Sequence, residues 1–130
     1  MTTKTVAESY PCLYAANSNI PTFDLSHKYS NHIMIASGNE KYQGHPTTVL
    51  MPDGKTVFCV WTIGHGGPCG PLKKSIDGGK TWSELLKVPD EWNNYVNCPC
   101  IWHLPTDKAP NRLVIYAQDP ETRMMYATES

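Results

Sequence analysis

The chain has 130 residues, with eleven Lys and Arg against twelve Asp and Glu, so its formal charge is −1. That balance offers no electrostatic footprint for nucleic acid or for an anionic membrane surface. No window reaches the roughly 18 apolar residues of a membrane span, and the first twenty residues lack the apolar stretch of a signal peptide. The five cysteines fit neither a zinc framework nor a redox pair: Cys98-Pro99-Cys100 has the wrong spacing, and Cys12, Cys59 and Cys69 are scattered. Reduced cysteines used mainly for packing are expected, with no metal and no cofactor. Eleven Pro and nine Gly beside four Trp and seven Tyr suit a β-rich chain of many turns.

In chain order, residues 1–30 are polar, carry Pro11 and Pro21, and read as an irregular arm or a short edge strand. Asn31–Ser37 reads as a strand. His45–Met51 (HPTTVLM) reads as a second, turned by Pro52-Asp53-Gly54 with a type I′ signal into Lys55–Thr62 (KTVFCVWT). A glycine-rich loop, Ile63–Gly70, leads to a short strand ending at Ser75. A turn follows, and then a strand over Trp82–Val88. Four sequential antiparallel strands make one unit of about 44–88.

The pattern then starts again over about 97–130. Asn97-Cys98-Pro99 matches Gly44-His45-Pro46, Leu104–Asp107 matches Met51–Asp53, and Arg112–Ala117 matches Thr56–Trp61. Tyr126–Ser130 matches the approach to Ser75. The offset between halves, 53 to 55 residues, suits a repeating four-stranded unit. By this alignment Ser130 opens a second copy of the turn that follows Ser75.

That turn is the most specific motif in the chain. Ser75-Ile76-Asp77-Gly78-Gly79-Lys80-Thr81-Trp82 fills the pattern Ser-x-Asp-x-Gly-x-Thr-Trp. The Asp77 carboxylate can accept from backbone N–H groups of the turn, and Gly78 and Gly79 can supply positive φ. Thr81 restarts a strand, and Trp82 is expected to turn inward onto the core. The stretch resembles the Asp-box, or bacterial neuraminidase repeat, of the sialidase-superfamily β-propellers. The run YQGHPTTVLMPDGKTVFCVW, followed by GHGGPCGPLKKSIDGGKTW, is similar to bacterial proteins described as exo-α-sialidases. The resemblance covers roughly residues 31–130.

It implies an all-β, sialidase-like propeller of the six-bladed type, with about two blades of four antiparallel strands in this chain. Ser75, Asp77, Gly79, Thr81 and Trp82 would be structural, on the face away from substrate. The implied function is that of a carbohydrate-active protein, a glycoside hydrolase or a fragment of one. The alternative is a non-catalytic, lectin-like propeller. The implied partner is a glycan, with the ring completed either by a homotrimer or by remaining blades of a longer chain. Family members grip the substrate carboxylate with three arginines, the first directly before an apolar residue and Pro at an inner-strand start. Here Gly44 holds that slot, Arg112 falls within a strand and Arg123 in a loop, so the arginine triad is absent.

Strand order also divides the loops. The Asp53-Gly54 turn and the 75–82 turn fall at one end. The strand starts and the Ile63–Gly70 loop fall at the other, where propellers bind ligands. That selects His45 and His65 as candidate acid/base or sugar-binding groups. Gln43, Asn97, Asp119 and Arg123 are candidate substrate contacts, while Tyr42 and Trp61 read as packing residues. The loop lacks the Lys-Ser/Thr ending of a phosphate-binding P-loop.

Overall fold

A computed structural model describes residues 12–14, 21–38, 41–122 and 125–129, with only the backbone described for 12–14, 21–23 and 125–129. The chain divides into two units, 1–33 and 34–130. In the first, β1 (Cys12–Tyr14) pairs antiparallel with β2 (Pro21–Phe23), and a 3-10 turn follows at Tyr29–Asn31. The expected irregular arm thus contains a small ladder in register Cys12↔Phe23.

The second unit holds two three-stranded antiparallel sheets. In the first, β3 (Gln43–Leu50), β4 (Val57–Ile63) and β5 (Leu72–Ser75) lie side by side. In the second, β6 (Val96–His103), β7 (Leu113–Gln118) and β8 (Met125–Glu129) repeat the order. The chain is therefore all-β among its described residues, apart from 3-10 turns. The core lies between the sheets: Met51 and Val60 meet Ile101, Leu113 and Ile115, with Trp92 inserted from a second 3-10 turn, Asp90–Asn94. The sheets adjoin through their first strands. Thr47 Oγ1 donates to Pro99 O at 2.9 Å and accepts from Ile101 N at 3.3 Å.

Three expectations need correction. Trp82–Val88 is not a strand. Ser83 N–H donates to Lys74 O and Leu86 N–H to Leu72 O, both at 2.9 Å, so the segment begins to pair with β5. The Ser83 hydroxyl, however, takes the Lys74 N–H, and three steps from Ser83 to Leu86 face two from Lys74 to Leu72. That extra residue breaks the ladder as a bulge does. Nor is Asn31–Ser37 a strand: among the described residues Asn31 and His32 donate back into the Tyr29–Asn31 turn, no strand forms over 31–37, and Lys73 Nζ donates to Ile35 O at 2.9 Å.

The Asp53-Gly54 turn, finally, is not type I′. That turn needs positive φ at both central residues, but only Gly54 has it, at 68°. Gly54 N–H donates to Met51 O and Met51 N–H to Thr56 O. The loop is thus longer than two residues and is closed by its side chain. Asp53 accepts from Lys55 N, Thr56 N and the Thr56 hydroxyl at 2.6–2.9 Å.

Candidate functional site

Two hydrogen bonds fix the geometry of the ends of the first sheet. Gly78 N–H donates to Lys55 O at 2.8 Å, joining the 51–56 and 75–82 turns at one end. Gly64 N–H donates to Tyr42 O at 2.6 Å, joining the start of β3 to the 64–70 loop at the other.

At the turn end, the side chains of Ser75, Asp77, Thr81 and Trp82 in the 75–82 motif are spent locally. Ser75, 1% exposed, donates its hydroxyl to Asp77 Oδ1 and accepts from Asp77 N and Gly79 N. Asp77 accepts from Thr81 N at 2.9 Å and Thr81 Oγ1 at 2.6 Å. These bonds hold its carboxyl down at about 2, the Thr81 hydroxyl contributing most, as charge-stabilising hydrogen bonds do. Gly78 and Gly79 have φ of 76° and 88°, as the sequence predicts. Trp82 does not reach the core cluster. Its indole N–H bonds Gly79 O at 3.0 Å, and the ring lies over its own turn.

The loop end is built differently. Among the described residues, two non-glycine residues have positive φ: His45 at 48° and Asn97 at 67°. Both sit in bulges at the start of a sheet's first strand. Between Gly44 and Thr47, three steps of β3 face two of β4; between Val96 and Cys100, four steps of β6 face two of β7. The bulge throws the His45 ring toward the loop, where the exposed His65 ring lies 4.8 Å away, centroid to centroid. Tyr42, 61% exposed, stands 6.5 Å from His65 on the same side. Tyr42 is thus a surface ring beside the histidine pair and not a packing residue. Alternation cannot find it, because the bulge begins two residues later and resets which face each side chain takes. Trp61, by contrast, is packed, at 4% exposure.

Of the candidate contacts, Gln43 supports the core: its Oε1 accepts from Trp61 Nε1 at 2.7 Å, and its Nε2 donates to Lys41 O. Asn97 donates its amide to Gln118 Oε1, and its backbone N–H reaches Gly66 O at 3.3 Å. The second sheet thereby meets the loop that carries His65. Asp119 caps its own turn, accepting from Glu121 N and Thr122 N, bonds that lower its pKa. Arg123 lies outside the described residues, as does Ser130. Gly44, in the slot of the first sialidase-type arginine, is buried. A Cβ there would stand 2.9 Å from Gly64 O and 2.6 Å from the Tyr42 ring, so this backbone admits no side chain.

No group of three or more His, Cys, Asp and Glu among the described residues is placed to hold a metal ion. The end as built offers two adjacent imidazoles, a phenol and backbone groups of a glycine-rich loop. Such a set can donate to and accept from hydroxyls, or pass a proton. No protein-family model matches the chain, and no curated protein matches it significantly.

Proposed function

We propose that the chain forms about two blades of a sialidase-like β-propeller whose loop end binds a glycan through His45 and His65, with Tyr42 as a flanking ring. The observation that carries this reading is the His45 backbone. A non-glycine residue in the left-handed region costs roughly 1–2 kcal/mol, and here that conformation aims an imidazole at its partner 4.8 Å away. Strain of this kind persists where a side chain's position matters. The propeller reading is supported by two sheets of one topology joined along their first strands. It is supported as well by the Ser75–Trp82 turn, in which Ser75, Asp77, Gly79 and Thr81 bond or supply φ as the motif predicts.

Glycoside hydrolysis is a second reading, favoured by the same pair, since two adjacent imidazoles at the loop end can serve as proton donor and acceptor. Its substrate would not be gripped as sialidases grip sialic acid, because Gly44 leaves no space for the first arginine.

The test is a glycan-array screen, followed by titration of the best binder against wild type, His45→Ala and His65→Ala. Each variant is expected to weaken binding at least tenfold. Wild-type affinity in both would sink the reading. Aryl-glycoside turnover then separates the two functions: hydrolysis requires released aglycone that falls about 100-fold in each variant, while binding alone gives no product. A solution mass near three times 14.5 kDa would mark a ring completed by three copies.

A further inference from the structure

Cys69 closes the 64–70 loop and is 2% exposed. Its N–H donates to Tyr95 O at 3.1 Å and its Sγ–H to Asn97 O at 3.2 Å. The Asn97 carbonyl is one peptide link from Cys98, an exposed free thiol. A buried thiol and an open one thus come close, near enough to interact electrostatically, where the first sheet's loop meets the start of β6. Disulfides need Cα atoms about 4.4–6.8 Å apart. The Cys69 sulfur already rests on the carbonyl that leads into Cys98, whose own side chain is exposed. The other described thiols are placed worse. Cys59 is 1% exposed in the middle of β4. Cys100 turns its Sγ to Cys98 O at 3.8 Å, and a bond to Cys98 would close a tight ring around buried Pro99.

We infer that Cys98 and Cys69 form a thiol-modification site: Cys98 takes up one half of a low-molecular-weight disulfide of the glutathione type, and Cys69 resolves it. In the first step the Cys98 thiolate attacks a sulfur of oxidised glutathione. An S–S bond forms to Cys98, the glutathione S–S bond breaks, and one glutathione leaves as thiolate. In the second, the Cys69 thiolate attacks the Cys98 sulfur and the second glutathione leaves. Two protein thiols have lost two electrons and two protons, and one glutathione disulfide has become two thiols. The bond ties the loop that carries His65 to the start of β6. Burial, reinforced by the neighbouring Cys98, pushes the Cys69 thiol up to about 11. Its thiolate is scarce at neutral pH, so the mixed disulfide accumulates before it closes.

The experiment is exposure of the full chain to oxidised glutathione at pH 7 and pH 9, acid quenching at intervals, and non-reducing peptide mapping by mass spectrometry. An adduct on Cys98 is expected first. It should then be replaced by a Cys69–Cys98 peptide two hydrogens lighter than its thiol form, at least tenfold faster at pH 9. Cys98→Ser removes both products, and Cys69→Ala leaves the adduct in place. Should Cys69→Ala fail to fold, the order of products in the wild type and in Cys98→Ser decides alone. A first adduct on Cys59 or Cys100, a Cys98–Cys100 bond, or an adduct that stays unresolved at pH 9 overturns the inference. The readout is covalent, so it stands or falls apart from glycan binding.

Discussion

The two ends of the first sheet use polar side chains in opposite ways. At the turn end, Asp53 and Asp77 each accept from a threonine hydroxyl, that threonine's N–H and one further donor. Glycine there supplies every positive φ. At the loop end a histidine takes the left-handed conformation itself. Its ring makes contact with another ring and not with a turn of its own backbone. The first arrangement spends its groups on closing the chain. The second accepts strain and leaves rings facing outward. Side chains that repair their own backbone stabilise; side chains held at a cost to the backbone are the ones open to a ligand.

If that contrast holds, damage at the turn end should register in stability and leave binding alone. Ser75→Ala is the sharpest case, because one buried hydroxyl serves the Asp77 carboxylate and two backbone N–H groups. Its loss leaves buried donors without a partner, and roughly 1–3 kcal/mol of unfolding free energy should go with it. Chemical denaturation measures the loss. Glycan affinity measured on the folded variant should match wild type; a weakening comparable to that of His65→Ala would mean the ends are not separable.

Acid attacks the same end. Both turn carboxyls are held at about 2, each mainly by its threonine hydroxyl. A depressed folded-state pKa stabilises the fold above the ordinary carboxylate value near 4. That stabilisation is lost as pH falls from about 4 through 2, when the folded state must take up protons it resists. The thermal midpoint should therefore fall across that window. In the Asp53→Asn, Asp77→Asn double variant it should start lower and fall less steeply, with a residual slope from Asp24 and Asp119, whose pKa values are also lowered by hydrogen bonds. Parallel curves for the two proteins would show that acid acts elsewhere.

Much of the turn end was legible in the sequence because its chemistry is local. Ser75, Asp77, Gly79 and Thr81 bond within a few residues of one another, so spacing alone implies the geometry. The histidine pair was legible for a coarser reason: strand order sends His45 and His65 to one end whatever the details. What spacing could not show is the bulge. The two non-glycine positive-φ residues among those described, His45 and Asn97, are 52 apart and the prolines after them 53, because the second bulge carries one more residue than the first. A pattern of apolar and polar residues cannot register an unpaired residue, so the position of Tyr42 went unread. The irregular pairing over Ser83–Leu86 was hidden for the same reason: a serine side chain takes a backbone carbonyl's place, and Trp82–Val88 still looks like a strand.

The smallest effect gives the most direct reading of the strain. Replacing His45 by Gly removes the cost of a left-handed side-chain residue, roughly 1–2 kcal/mol, and adds back about 0.5–1 kcal/mol of backbone entropy lost on folding. His45→Gly should therefore be more stable than His45→Ala by about 1 kcal/mol, while both lose the imidazole and bind glycan equally poorly. Asn97→Gly is the control. Asparagine enters the left-handed region more readily, and its amide donates to Gln118. The smaller relief of strain and the loss of that bond nearly cancel, and the variant should unfold within about 0.5 kcal/mol of wild type. Equal stabilities for His45→Gly and His45→Ala would mean that the bulge relaxes once the ring is gone. The left-handed backbone would then follow from the contact between the two imidazoles and not position it.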